Sequence, residues 1–224
     1  MHILPLYKHI VNSRLKHTYL SFDDEGNLII KSPKVSQKYI EKLLLKKSSW
    51  INSSKKKILQ KKGRTVDFSK KRELYFYGKA YPLELQTWTK KRSKLIFEDT
   101  QFILCYSDYN EVAFQKHIDH FYKEKAKEFI PAMLNNWSSV MELEYNKVSF
   151  RKTKRQWGSC SGKNDLSFNS MVVKLPEDVI EYIIVHELAH IRHKHHQKSF
   201  WSLVEKYLPD YKERIALLKH YTTH

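Results

Sequence analysis

The residues His186, Glu187 and His190 have types and a spacing that suit a metal-dependent hydrolytic site. Two histidines four positions apart lie one above the other on a helix, because an α-helix has 3.6 residues per turn. That spacing lets both imidazoles reach one tetrahedral zinc ion, and the intervening glutamate can activate the water on the metal. The sequence therefore predicts a hydrolytic site with one Zn²⁺ per chain and Glu187 as its general base.

The residues around this motif predict a buried helix. The apolar side chains that flank it are Val179, Ile180, Ile183, Ile184, Val185, Leu188 and Ile191. At about 100° per residue, Glu187 falls inside the same apolar arc. An unpaired carboxylate is costly there, and a bound cation with its water accounts for it. Pro176, followed by Glu177 and Asp178, predicts where the helix begins.

A catalytic zinc usually takes a third protein ligand, and the sequence offers four candidates for it. They are His193, His195, His196 and Glu205. His193 lies on the same helix face as His186 but about 10 Å along the axis, so the chain must turn back before a third ligand can reach the ion. His195 and His196 follow enough residues for that turn, and Glu205 suits zinc sites that a later helix completes. We expect His196, with the other candidates open.

The motif HELAH-x5-H-xxx-FW, with Arg151, the segment Trp157-Gly158-Ser159-Cys160-Ser161 and Asn169 upstream, resembles the YgjP-like metallopeptidase family. The resemblance covers most of the chain and is most specific from about Val148 to Leu218. The last part of the motif is also similar to the WLM and SprT-like metalloproteases that act around DNA. Those relatives often carry Gly between the second and third histidines, and this chain does not.

The resemblance implies a zincin-like fold in which His186, His190 and His196 hold the metal and Glu187 is the general base. For substrate binding we expect contributions from Arg151, Trp157 and Asn169. Trp157 and Asn169 would shape a cleft edge on which an extended peptide adds as a strand. Candidates for stabilising the oxyanion are Arg151, Arg155 and Tyr182, without a strong signal for any of them.

Three classes of function remain open at this stage. The first is a zinc-dependent metallopeptidase that acts on peptides or proteins. The second is a metal-dependent nucleoside triphosphate pyrophosphohydrolase, an activity also attached to the YgjP-like family, and the third is a DNA-associated metalloprotein with little catalysis. Glu187 disfavours the third class, because a structural site needs no base and normally has four protein ligands. A cysteine nucleophile at Cys160 is disfavoured, since no base at a suitable spacing supports it.

The net charge of +17 is the second unusual property of the chain. The electrostatic field of such a charge attracts polyanions. Nucleic acid, bound without sequence preference, is therefore a candidate partner for the lysine clusters between Lys46 and Arg92. Compositional bias is the favoured interpretation, because lysines outnumber arginines and no recognised nucleic-acid motif is present.

Several features predict a cytoplasmic protein with reduced thiols. No apolar run approaches the ~20 residues that span a bilayer, and the first six residues lack the features of a signal peptide. Two cysteines, Cys105 and Cys160, are too few for a disulfide framework. The sequence leaves the oligomeric state open.

The pattern of elements predicts an α+β fold, with an N-terminal β-rich part (residues 1–110) containing one or two helices and a zincin-like metallopeptidase domain (residues 111–224). Turn residues at 23–27, at Gly78 and at 161–165 predict strand pairs, and Ser36 is a predicted helix N-cap. A helix is expected over 111–137, kinked or shortened by Pro131. The strand after the third turn is predicted over 166–173, and helices are expected from Pro176, around 200–208 and over 210–221.

Overall fold

The computed structural model describes residues 5–23, 26–60, 66–68, 70 and 72–223, and within them the fold is a mixed α+β arrangement of three small sheets and six α-helices. This confirms the predicted fold class. The chain forms two compact units, Met1–Lys61 and Lys62–His224.

The first unit is a three-stranded sheet followed by two helices. Its elements are β1 (Tyr7–Val11), β2 (Tyr19–Phe22), β3 (Leu28–Ser32), α1 (Gln37–Lys46) and α2 (Ser48–Leu59). The strand order is β1-β3-β2, with β2 antiparallel and β1 parallel to β3. The Ser36 side chain accepts a hydrogen bond from the Tyr39 amide and caps α1, as predicted. A small core forms from Leu28, Ile30, Ile40, Leu44 and Ile51.

The second unit opens with a four-stranded sheet. Its strands are β4 (Glu73–Phe76), β5 (Lys79–Thr87), β6 (Lys94–Glu98) and β7 (Gln101–Tyr106). They lie in the order β4-β5-β7-β6, in which β5 and β7 run parallel and the other neighbours antiparallel. The predicted strand pair around Gly78 is therefore confirmed. Gly78 has a φ of +76°, a turn conformation that glycine adopts without strain.

A 31-residue helix, α3 (Glu111–Met141), follows the sheet. The Asn110 side chain caps its start by accepting from the Ala113 amide, and Glu142 ends it in a left-handed conformation. Buried residues recur at every fourth position in its first six turns, at Phe114, Ile118, Tyr122, Ala126, Ile130 and Leu134. Pro131 lies inside the helix and does not end it. The buried neighbours on both sides of Pro131 hold the backbone helical despite the missing N–H.

The third sheet leads into the predicted metal helix. It contains β8 (Val148–Arg151), β9 (Gly158–Cys160) and β10 (Leu166–Asn169) in the order β8-β10-β9. The strand predicted over 166–173 ends at Asn169, because the Asn169 side chain accepts from the Met171 amide and caps a 3₁₀-helix, Ser170–Lys174. The residues of this 3₁₀-helix are all buried, which explains why their sequence pattern resembled a buried strand.

Three helices complete the unit: α4 (Glu177–Arg192), α5 (Lys198–Tyr207) and α6 (Tyr211–Leu218). Pro176 precedes α4, with Glu177 and Asp178 in the first turn, as predicted. The turn between β4 and β5 packs against this start. The Tyr77 and Gly78 amides donate to the Val173 and Lys174 carbonyls at 2.9 and 3.1 Å.

One hydrophobic core joins the four-stranded sheet, α3 and the three C-terminal helices. Packing thus divides the chain at residue 61, whereas the sequence predicted a boundary near residue 110. The difference arises because residues such as Phe76 and Phe102 share the core of the metal helix. Whether residues 111–224 also fold independently stays a prediction. Within the described residues, no helix has the length and apolar character needed to cross a membrane.

Candidate metal centre

The predicted metal helix presents His186, Glu187 and His190 from the apolar centre of the second unit. Glu187 is 5% exposed, and its helical neighbours Ile183, Ile184 and Leu188 are buried. The helix is fixed on several sides by the core, so the direction of these three side chains is set by packing rather than by local propensity. The burial predicted from the apolar arc is confirmed.

A third imidazole, from His196, meets the two histidines of the helix. The His196 Nε2 atom lies 3.1 Å from the His190 Nε2 atom and 3.1 Å from the His186 Nε2 atom. All three ligand atoms lie within 4.8 Å of one another. The chain makes the required turn in the segment 193–197, between the end of α4 and the start of α5.

The other candidates for a third ligand have different surroundings. The His193 Nδ1 atom lies 3.5 Å from the Ser199 hydroxyl, and the Glu205 carboxylate lies 4.0 Å from the Lys212 ammonium. The His195 ring accepts from the Gln197 amide at 3.3 Å. Among the described residues, the cluster able to hold a metal contains His196 and none of these three.

The opposite ring nitrogens orient the two helical histidines. The His190 Nδ1–H donates to the His193 carbonyl at 2.9 Å, which leaves the His190 Nε2 atom unprotonated. The His186 Nδ1 atom lies 3.2 Å from the Tyr182 hydroxyl. Burial lowers the pKa of His186 to about 3 and also lowers the pKa of His190, so both rings stay neutral, the form that binds metals.

Two aromatic residues hold the third imidazole in place. Phe200 is fully buried, and its ring centroid lies 4.6 to 4.9 Å from the ring centroids of all three histidines. The Trp201 Nε1–H donates to the His196 carbonyl at 3.1 Å. These contacts pack His196 and its turn against the start of α5.

The Glu187 carboxyl group is buried without compensation from the protein. Its Oε2 atom has no hydrogen-bond partner among the described residues. Burial raises the pKa of Glu187 to about 8, which makes the carboxylate a stronger base. Such an unpartnered group is costly unless something polar binds beside it.

Gly158, the first residue of β9, lies directly against this carboxyl group. A Cβ atom at this position would stand 2.5 Å from the Glu187 Oε1 atom and 2.6 Å from its Cγ atom. The absence of a side chain at Gly158 therefore lets the β9 backbone approach the metal helix closely.

A cleft of about 210 Å³ opens beside His186 and Glu187. Besides those side chains and Gly158, its lining residues are Gln156, Trp157, Tyr182, Ile183 and Leu218. Sequence reasoning missed Gln156, Ile183 and Leu218. No motif marks them, because they come from a loop and two helices that only the fold brings together.

The three residues expected to bind substrate occupy different positions. Trp157 lines the cleft. Asn169 is 1% exposed, and its amide nitrogen donates to carbonyl oxygens of Thr153 and Gln156 at 2.8 and 3.1 Å, which fixes the loop before β9. The Arg151 Nε–H donates to the Ser167 hydroxyl at 2.8 Å, next to a recess that Asn169 also lines. A substrate-binding role for each of them stays a prediction.

Tyr182 and Cys160 have surroundings that bear on their proposed chemistry. Tyr182 is the one oxyanion candidate that lines the cleft, through the hydroxyl beside His186. The Cys160 Sγ atom accepts from the Lys194 ammonium at 3.3 Å, and burial raises the pKa of the Cys160 thiol. A raised pKa disfavours the thiolate, which agrees with a small packed residue rather than a nucleophile.

Comparisons with known proteins place this geometry in a family. The zymogen of the metallopeptidase abylysin from Pyrococcus abyssi is 26% identical, with 42% of this chain and 99% of that chain covered and a TM-score of 0.38. The zymogen of jannalysin from Methanocaldococcus jannaschii, also a metallopeptidase, is 24% identical, with coverages of 39% and 93% and a TM-score of 0.35. The comparison with curated proteins gave no match. The family model described as "YgjP-like, metallopeptidase domain" matches residues 16–221, and the chain therefore belongs to the YgjP-like metallopeptidases.

Proposed function

We propose that the protein is a zinc-dependent metallopeptidase that hydrolyses peptide bonds, with Glu187 as general base and one zinc held by His186, His190 and His196. The observation that carries this proposal is the buried Glu187 carboxyl group, whose Oε2 atom has no hydrogen-bond partner among the described residues, next in sequence to His186 in a cluster of three converging imidazoles. Membership of the YgjP-like metallopeptidases supports the peptidase class.

The donor set fits a zinc ion. A tetrahedral zinc with Zn–N bonds of about 2.0–2.1 Å requires nitrogens about 3.3 Å apart, close to the two separations of 3.1 Å that His196 makes. Neutral imidazoles that point their lone pairs at one another repel unless a cation lies between them. Three protein ligands also match catalytic zinc sites, which keep a fourth position open.

The side chains around the metal centre would have different roles in peptide-bond hydrolysis. His186, His190 and His196 would hold the zinc, which when bound would supply a water molecule with its pKa lowered from 15.7 to about 7 and a Lewis acid for the substrate carbonyl. Glu187, with its raised pKa, takes a proton from a water molecule beside it and returns that proton to the leaving amine. With its Nε2 atom as the metal ligand, His186 would donate a hydrogen bond from Nδ1–H to the Tyr182 hydroxyl, which orients the ring and leaves the hydroxyl proton of Tyr182 available to the cleft.

The cleft favours a peptide over a nucleoside triphosphate. Of the described residues that line it, none is lysine or arginine, the side chains that bind phosphate groups. Trp157, Ile183 and Leu218 give it apolar walls. Its volume of about 210 Å³ is below the roughly 300–1,000 Å³ of pockets for larger small molecules. We infer that it accepts an apolar side chain next to the scissile bond.

The test is a side-by-side screen of the zinc-loaded protein on a peptide mixture, casein and nucleoside triphosphates. Peptides should be cleaved, and Glu187→Gln should abolish cleavage while zinc is retained, because the amide keeps the shape and removes the base. Glu205→Gln is the matched control, since Glu205 is about half exposed and lies outside the cluster, and it should retain both activity and metal.

A different outcome would overturn the proposal. If nucleoside triphosphates are hydrolysed in a Glu187-dependent way and peptides are not cleaved, the pyrophosphohydrolase function replaces the peptidase function.

A further inference from the structure

The segment 193–197 must hold His196 against two histidines on a rigid helix, although most of the segment is exposed. Hydrogen bonds from side chains of the two flanking helices fix both ends. The His190 ring donates to the His193 carbonyl at 2.9 Å, and the Trp201 indole donates to the His196 carbonyl at 3.1 Å. No glycine eases the helix exit, so the middle of the segment needs its own restraint against conformational freedom.

Lys194 supplies contacts in the middle of the segment. Its ammonium nitrogen lies 2.7 Å from the Asn164 Oδ1 atom, 2.8 Å from the Ser161 carbonyl oxygen and 3.3 Å from the Cys160 Sγ atom. An ammonium group has three protons, and here three acceptors surround it. All three acceptors belong to the end of β9 and the turn that follows.

That turn is itself a rigid anchor. The Ser161 amide donates to the Asp165 carbonyl at 2.9 Å, and the Ser161 hydroxyl accepts from the Lys163 and Asp165 amides. Asn164 has a φ of +60°, a left-handed conformation that asparagine tolerates, and its carbonyl accepts from the Asn146 amide at 3.0 Å. The acceptors of Lys194 are therefore held in position by the turn.

We propose that Lys194 is a positioning residue for the metal centre, which clamps the 193–197 segment to the β9–β10 turn and so delivers His196 to the other two imidazoles. The inference rests on the proposed metal triad. It also gives Cys160 a role as an acceptor in the clamp. A charged donor makes these hydrogen bonds stronger than neutral ones, which suits an exposed segment that carries a ligand.

The test compares Lys194→Met with Lys198→Met in the full chain. Both changes remove one positive charge and keep an unbranched side chain, and the Lys198 side chain makes no hydrogen bond or ion pair with the described residues. Zinc affinity, measured by competition with a chelator, should fall about 10-fold or more in Lys194→Met, as for other groups that orient ligands. Lys198→Met should keep the wild-type affinity.

A second readout does not depend on metal. In the metal-free protein, amide hydrogen exchange of residues 193–197 should be faster in Lys194→Met than in wild type and unchanged in Lys198→Met. Cobalt-loaded protein adds a spectroscopic check, because loss of the third imidazole changes the visible absorption bands. If wild type binds no zinc, the proposed function fails, whereas unchanged exchange in Lys194→Met refutes the clamp alone.

Asn164→Gly keeps the inference testable if Lys194→Met does not fold. Glycine preserves the left-handed backbone and removes one acceptor of the ammonium. Asn164→Gly alone should bind zinc more weakly than the wild type. Added to Lys194→Met, it should have little further effect, since both changes break the same contact. The proposal would be overturned if both single variants kept the wild-type zinc affinity. It would also be overturned if the losses of zinc affinity in the two single variants added fully in the double variant.

Discussion

Replacing Gly158 by alanine perturbs the proposed base without changing any group that takes part in the chemistry. The new Cβ atom would lie 2.5 Å from the Glu187 Oε1 atom, 2.6 Å from Cγ and 2.8 Å from Cδ. Ordinary carbon–oxygen contacts are about 3.3 Å or longer. The carboxyl group must therefore retreat by about 0.8 Å, and since Glu187 is only 5% exposed it has to displace packed neighbours to do so.

The expected cost follows from that displacement. A misplacement of about 1 Å in a catalytic group costs on the order of 100-fold in rate, which corresponds to about 2.7 kcal/mol of transition-state stabilisation. We expect Gly158→Ala to lower kcat by about 100-fold while the protein retains zinc, because the three atoms nearest to the new methyl group all belong to Glu187 and none to a histidine.

Gly162 offers a matched control. A Cβ atom there meets nothing within 4 Å, so Gly162→Ala should keep wild-type turnover and metal content. The assay is single-substrate kinetics on a peptide identified in the screen, with zinc measured by elemental analysis and folding checked by thermal unfolding. Turnover of Gly158→Ala within a factor of three of wild type would refute the argument that this contact fixes the base.

Four further predictions follow from the same structure. His196→Ala should lose most bound zinc and His193→Ala should keep it, as elemental analysis would show; the reverse result would assign the third ligand to His193. Burial lowers the pKa of Lys174 to about 7 from 10.5, so the unfolded chain binds more protons between those values and the free energy of unfolding should rise with pH across that window. Lys174→Met should flatten this rise in urea titrations, and an unchanged slope would contradict it. Cys160→Ser should keep most activity, and a complete loss in a folded variant would revive a cysteine nucleophile. If the lysines between Lys46 and Arg92 bind nucleic acid, labelled DNA should bind at low salt and dissociate as salt rises, whereas no binding at low salt would end that hypothesis.

Local chemistry accounts for what the sequence could predict. The four-residue spacing of His186 and His190 and the apolar residues between them are local, so the metal helix and the burial of Glu187 followed directly. Ser36 marked a helix start because a cap needs a side-chain oxygen at one position. Turn residues likewise marked the pairs β2–β3, β4–β5 and β9–β10.

Long-range contacts account for what the sequence could not predict. Strand β1 pairs in parallel with β3, and no turn signal links the two. The end of β10 at Asn169 depends on a side chain that caps the next helical turn instead of continuing a ladder. Lys194 contacts residues that are about 30 positions earlier in the sequence, Cys160 and Asn164 among them. No sequence spacing predicts contacts over that separation. Some residues of these predictions lie outside the described residues. They are Lys61, Lys62 and Lys71 of the lysine clusters and the predicted turn residues Asp24 and Glu25.

The contact between the β4–β5 turn and the start of α4 limits how far the chain can be shortened from its N-terminus. A Cβ atom on Gly78 would lie 2.7 Å from the Pro176 ring, so sheet and helix meet there with no space between them. Removing the first 110 residues would strip Leu74, Phe76 and Phe102 from the core and expose the apolar stripe of α3 to water. We expect such a fragment to be prone to aggregation, whereas a fragment that begins just before β4 keeps this face covered. For protein production and crystallisation, the smallest useful catalytic fragment therefore includes the four-stranded sheet.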